Sequence, residues 1–197
     1  LFVNNKISQK SLWSEEDFFL ITYADTIKKK KVKNLISLGN FLNKYCKEFS
    51  FVHVLPFFPY SSDDGFAVKD FKKVNSEHGD WDDFKKISSS FKTMIDLVIN
   101  HCSSENMLFK DFLNGSSLVS DFFIVSNEKF KESEKIVRPR SSDISKKINL
   151  NGKTKYVWCT FSHDQVDFNF KNPEVLIYLI EIMKFYLDKN VKALRLD

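Results

Sequence analysis

Arg195 and Asp197 stand two residues apart at the end of an apolar run. On an extended strand that spacing points both side chains to one face. A guanidinium beside a carboxylate favours the ionised carboxylate, and a carboxylate held in that state can serve as a nucleophile; the same pair also has the form of a structural salt bridge. Polar groups end three other apolar runs in the same way. Asp25 follows residues 18–24, Asp63-Asp64-Gly65 follows residues 51–57, and Asn100-His101 closes residues 93–100. Polar residues at four strand ends point to a site along one edge of a parallel sheet, where α/β proteins build theirs. His53 alternates inside a buried run and reads as a packed, hydrogen-bonded core histidine. His163 beside Asp164 reads equally as an exposed loop residue or as part of a site.

The elements that must carry these residues follow from hydrophobic period. Residues 18–24 (FFLITYA), 51–57 (FVHVLPF), 93–100 (TMIDLVIN) and 191–197 (VKALRLD) are short, apolar and β-branched, which predicts buried strands. Between them, residues 33–48 and 173–189 carry apolar side chains at helical spacing, and residues 80–91 read as a third helix. Asp80 and Asn172 are the expected caps, with Pro173 in a first turn. Residues 101–162 break the alternation with a Ser- and Lys-rich stretch and an Asn151-Gly152 turn signal for a hairpin. The expected organisation is therefore residues 1–100 as the first part of a barrel or sheet, 101–162 as an insertion, and 163–197 as its continuation. Four β/α units fit the first half of a (β/α)8 barrel or a small doubly wound sheet.

Composition narrows the class. With 43% hydrophobic and 28% charged residues, the chain has the make-up of a folded protein. A net charge of +4 from 30 basic and 26 acidic residues is too mild to argue for nucleic acid. No apolar run approaches the roughly 20 residues that cross a bilayer. Cys46, Cys102 and Cys159 show no CxxC or CxxH spacing, against both a disulfide framework and a structural zinc site; free packed thiols in a reducing, cytoplasmic compartment are expected. With 5 glycines and no GxGxxG or GxxxxGK[ST], no phosphate-cradling loop of that kind is present. Residues 1–13 lack a basic segment followed by an apolar one, the first residue is not Met, and Asp197 directly follows an apolar run. The expectation is an N-terminal fragment without a signal peptide. Lys28–Lys31 is expected to be a solvated basic run.

Several segments together resemble one family. Residues 96–101 (DLVINH) and 194–197 (LRLD) resemble the first two signatures of glycoside hydrolase family 13, the α-amylase superfamily, and residues 165–169 (QVDFN) resemble the motif that closes its inserted domain B. Residues 21–25 (ITYAD), 53–58 (HVLPFF), 63–66 (DDGF), 79–82 (GDWD), 137–140 (VRPR) and 158–161 (WCTF) are similar, in order and spacing, to the sucrose phosphorylase subfamily. The forms SSDDGF and DQVDFNF are closer to the branch containing glucosylglycerate phosphorylases. Asp64 stands where sucrose phosphorylases carry Ala, Val137 where they carry Tyr, and Asn169-Phe170 also departs from them. These differences fall on the acceptor side, so an acceptor other than fructose is expected.

The resemblance implies the first half of a (β/α)8 barrel, strands 1–4, with domain B after the third strand. It implies a retaining α-glucoside phosphorylase that passes a glucosyl unit from sucrose or a related α-glucoside to inorganic phosphate. Asp197 matches the nucleophile and Arg195 the arginine that orients it. His101 matches a histidine on the glucosyl hydroxyls, Asp63 the grip on the non-reducing end of that glucose, and Phe161 and Gln165 match lining residues. Arg140 matches a loop arginine for phosphate or acceptor. Trp13, Trp81 and Trp158 carry rings that stack on sugars, Trp81 being better placed for packing at a helix start. No metal and no cofactor are expected, only phosphate as co-substrate, with no nucleic-acid or membrane partner. The acid/base glutamate lies, by the resemblance, on the strand after the one ending at Asp197. A hydrolase or transglucosylase of the same superfamily shares Asp197, Arg195 and His101. An inactive fragment or a non-catalytic relative is the other alternative.

Overall fold

The computed structural model describes residues 14–131, 135–138 and 140–197. Trp13 and Pro139 lie outside the described residues. Strands β1 (Phe19–Thr22), β2 (Phe51–Val54), β3 (Lys92–Leu97) and β9 (Ala193–Leu196) form a parallel sheet in the order β1-β2-β3-β9. Helices α1 (Asn34–Tyr45), α2 (Trp81–Ser88) and α4 (Pro173–Asp188) connect or follow them. The strands are shorter than their apolar runs. β2 ends at Val54 because Pro56 has no N–H to continue the ladder.

The pleat sorts the sheet into two faces. Val52, Val54, Ile95 and Leu97 are buried with Leu35, Leu38 and Leu42 of α1 and Phe84 and Ile87 of α2. The other face carries Ile21, His53, Met94 and Ala193 in one registered row. A step further on, it carries Asp96 opposite Arg195. On β1 this face is open, with Ile21 62% exposed.

Helix ends follow local chemistry. The Asp80 carboxylate accepts from the amides of Asp82 and Asp83, and Asn172 accepts from Glu174 N. Helix α4 buries Val175, Leu179, Ile182 and Tyr186 along one stripe, and Tyr186 donates its hydroxyl to Phe71 O at 2.7 Å. Trp81 packs against Phe57, Phe84 and Phe185, and its indole N–H donates to Lys72 O. That is the packing role.

Between β3 and α4 lie β4 (His101–Ser103), α3 (Met107–Leu113), β5 (Val125–Ser126), β6 (Ser145–Leu150), β7 (Lys153–Trp158) and β8 (Gln165–Asp167). β6 and β7 form the hairpin, with Asn151 and Gly152 both at positive φ, as a two-residue turn of this twist requires. A strand stands at each root of the insertion: β4 pairs antiparallel with β8, His101 opposite Asp167 and Ser103 opposite Gln165. Neither strand is evident from hydrophobic period. All three cysteines are buried and free, and burial pushes the Cys159 thiol up to about 12. Among the described residues no helix is long and apolar enough to cross a membrane.

Candidate active site

β9 delivers Arg195 and Asp197 to the open face of the sheet. The β3–β9 register sets Arg195 beside Asp96, and the guanidinium spans two carboxylates. Its Nη1 is 3.0 Å from Asp96 Oδ1 and its Nη2 3.0 Å from Asp197 Oδ1. Asp96 is fully buried, and its other oxygen lies 2.8 Å from His53 Nε2. A buried carboxylate is costly unless paired; here His53 supplies a hydrogen bond to Oδ2, and the Arg195 guanidinium supplies charge beside Oδ1 without the alignment of a hydrogen bond. The Arg195 guanidinium also sits 5.5 Å from the Phe66 ring centre, a cation–π contact. The Asp197 backbone is pinned: its N–H donates to Leu97 O, and its carbonyl accepts from Ile99 N at 2.7 Å.

A second cluster forms around His101, the first residue of β4. The buried imidazole Nε2 is 3.2 Å from Phe66 O. Donating to that carbonyl fixes the proton on Nε2 and leaves Nδ1 toward Asn100 Nδ2. Burial holds the imidazole below its ordinary value, against the opposing pull of Asp167, the Phe66 carbonyl, Asp197 and Asp63. The ring lies 5.1 Å from that of Phe161. Gln165, buried on β8, donates from Nε2 to Asp63 Oδ2 at 2.8 Å, and its amide nitrogen is 3.1 Å from His101 Nε2. Arg140 Nη2 reaches the other oxygen of Asp63 at 3.2 Å.

Asp63 sits in a strained turn. Asp63, Asp64 and Gly65 all have positive φ, at 58°, 48° and 108°. For a residue other than glycine this conformation costs about 1–3 kcal/mol. At Gly65 a side chain is excluded outright, since a Cβ would fall 2.6 Å from Pro56 O.

The structure thus brings Asp63, His101, Arg140, Phe161 and Gln165 into one contiguous cluster, and Arg195 with Asp197 into another. Phe66 joins them, through its carbonyl to His101 and its ring to Arg195. It lies inside the DDGF motif yet carries no role in the sequence reading; its sequence neighbours were the only signal. Asp96 likewise sits inside DLVINH without an assigned role. Asp25 stands apart, paired with Lys28 at 2.9 Å. His163 is exposed and its Nε2 lies 2.8 Å from Asp143 O. The Trp158 indole donates to Thr160 Oγ1 and its ring meets Phe130 edge-on.

Residues 44–197 match the alpha amylase catalytic domain. The chain belongs to the alpha-amylase family. Within it, the chain is 44% identical over 182 residues to a glucosylglycerate phosphorylase of Spirochaeta thermophila, covering 92% of this chain and 31% of that protein. It is 30% identical over 188 residues to a sucrose phosphorylase of Bifidobacterium adolescentis, covering 90% and 37%. The crystal structure of sucrose 6F-phosphate phosphorylase from Thermoanaerobacter thermosaccharolyticum superposes with a TM-score of 0.84 at 29% identity, covering 96% of this chain and 41% of that one. The chain spans about a third of the length of the glucosylglycerate phosphorylases it matches. In this alpha-amylase setting the parallel sheet is the first part of a (β/α)8 barrel, not a doubly wound sheet, and its open face is the barrel interior.

Proposed function

We propose that the protein carrying this chain is a retaining α-glucoside phosphorylase, with glucosylglycerate as its donor. The observation that carries the reading is the Arg195-held Asp197 beside a compact cluster of Asp63, His101 and Gln165. One charged nucleophile and one sugar-sized set of hydroxyl partners suit transfer of a single glucosyl unit. The choice of donor is supported by the gradient of similarity: glucosylglycerate phosphorylases are 37–44% identical to this chain, and sucrose phosphorylases 30–32%.

In the first displacement, Asp197 attacks the anomeric carbon and the glycosidic bond breaks. The departing glycerate oxygen takes a proton from an acid/base carboxyl, which the resemblance puts on the strand after β9. Retaining enzymes keep two such carboxyl groups about 5–5.5 Å apart. In the second displacement, a phosphate oxygen attacks the same carbon and releases Asp197 as a carboxylate. Arg195 occupies Asp197 Oδ1 and leaves the other oxygen to form the ester. His101 and Asp63 hold the glucosyl hydroxyls through both steps.

Arg140 brings a forked cation to the rim of this cluster, a geometry suited to phosphate or to the carboxylate of glycerate. Beside it a cleft of about 510 Å³ is lined by Lys129, Lys131, Arg138 and Arg140 against one carboxylate, Asp143, which pairs with Lys129 at 2.7 Å. Its positive lining supports an anionic acceptor and co-substrate. The thiols and the fold fit a cytoplasmic enzyme acting on small sugars and phosphate.

The test is glucose 1-phosphate release by the complete gene product from sucrose, sucrose 6′-phosphate and glucosylglycerate, with and without inorganic phosphate. Phosphate-dependent release, fastest from glucosylglycerate, is expected. Free glucose appearing at the same rate without phosphate contradicts the reading and moves the protein to the hydrolases.

A further inference from the structure

The carboxylate of Asp164 is surrounded by serines. Its Oδ2 accepts from Ser61 Oγ at 2.5 Å and Ser62 Oγ at 2.6 Å, and its Oδ1 accepts from Ser104 Oγ at 2.9 Å. Ser61 Oγ lies 2.6 Å from Ser103 Oγ, which itself accepts from Glu105 N. The Asp164 carbonyl accepts from Ser104 N at 2.7 Å. One carboxylate therefore gathers three segments: the loop after β2, the end of β4 and the approach to β8. Burial alone would raise this carboxyl, but the three hydroxyl donors outweigh it and hold it below the usual range.

The position of the clamped serines matters. Ser61 and Ser62 immediately precede Asp63, the first of three consecutive residues with positive φ. A turn in that conformation persists only where its surroundings over-determine it. Asp164 fixes the entry to the turn, while Gln165, its covalent neighbour, fixes the Asp63 side chain through Oδ2. The dipeptide Asp164-Gln165 thus sets both the backbone and the carboxylate of Asp63.

We propose that Asp164 is a positioning residue: through Ser61 and Ser62 it holds the strained Asp63 turn so that the Asp63 carboxylate faces the glucosyl unit. The inference rests on the sugar-binding reading of Asp63 given above. A group that positions a ground-state contact acts on binding, so its loss raises KM and leaves kcat nearly unchanged.

The experiment is a double-mutant cycle in the complete gene product, with Asp164→Ala, Asp63→Ala and both together. D-glucose affinity is measured by calorimetry and donor kinetics are followed in parallel. Asp164→Ala is expected to weaken glucose binding and raise donor KM about tenfold, with kcat altered less than about threefold. In the Asp63→Ala background the same substitution is expected to have no further effect, because two groups acting as one unit are not additive. Ser62→Ala gives a smaller loss in the same direction, and Asp164→Asn recovers part of it; these two carry the cycle should Asp164→Ala not fold. Additive losses in the cycle, or a lowered melting temperature with unchanged glucose affinity, overturn the role of Asp164. A wild-type protein that binds no glucose overturns the sugar-site reading instead.

Discussion

Arg195 Nη1 lies 3.0 Å from Asp96 Oδ1, directly across the β3–β9 register. That contact makes Arg195 the middle of a line running from buried His53 through Asp96 to Asp197. Asp96→Ala removes the shared carboxylate and leaves His53 buried without its partner. Breaking a buried pair from one side costs about 3 kcal/mol, which urea unfolding of the complete gene product measures directly. The freed guanidinium also loses its orientation toward Asp197, and a misplaced catalytic group costs about a hundredfold in kcat. Unchanged kcat in a folded Asp96→Ala protein contradicts the positioning line.

Arg140 contributes a cation rather than a fold contact; its side chain is half-exposed and its partner is Asp63. Arg140→Ala is expected to raise KM for phosphate about tenfold. Arg140→Lys keeps the charge but loses the fork, so it restores part of the loss. Initial rates against phosphate concentration decide it. A phosphate KM unaffected by Arg140→Ala removes the residue from phosphate binding.

Two buried histidines set a pH dependence of stability. Burial lowers both His101 and His78 from the ordinary 6.5. The unfolded chain therefore binds protons that the folded one does not, between 6.5 and the folded values. Stability from this source is complete above 6.5 and falls as pH drops below it. Urea midpoints at about pH 7.5 and about pH 5.5 are expected to differ in that direction, and the difference shrinks in His101→Gln. The carboxylates held low, Asp17, Asp25, Asp143 and Asp164, act in a separate window below 3.8; Asp167, which burial raises, acts above 3.8 with the opposite sign to the histidines. Equal midpoints at the two pH values contradict the assignment.

The 197-residue chain by itself leaves the outer strands β1 and β9 unpaired on one side among the described residues, with Phe19, Ile21 and Leu196 exposed. Open apolar strand edges associate. Size-exclusion chromatography of the isolated chain is expected to show self-association, and assays to show no phosphorolysis. A sharp monomeric melt with turnover contradicts both.

Much of the fold is legible in the sequence because the barrel strands are bounded apolar runs and the helices carry their own caps at Asp80 and Asn172. The hairpin is legible from Asn151-Gly152 alone. β4 and β8 are not, because HCS and QVD are only 3 residues each, too short to show a period, and become strands by pairing with each other. The Arg195–Asp197 pair follows from strand spacing. The cluster around Asp63 does not: Gln165 is 102 residues away, and only the resemblance brings the two together. Asp164 leaves no local trace, since its partners Ser61 and Ser62 lie 103 and 102 residues earlier.

The most direct test compares the wild-type complete gene product with Asp197→Asn, measuring glucose 1-phosphate released from glucosylglycerate with and without inorganic phosphate. Phosphate-dependent release in the wild type, reduced at least about a thousandfold by Asp197→Asn, is the predicted result. Release that survives the substitution contradicts Asp197 as the nucleophile and, with it, the account of this site.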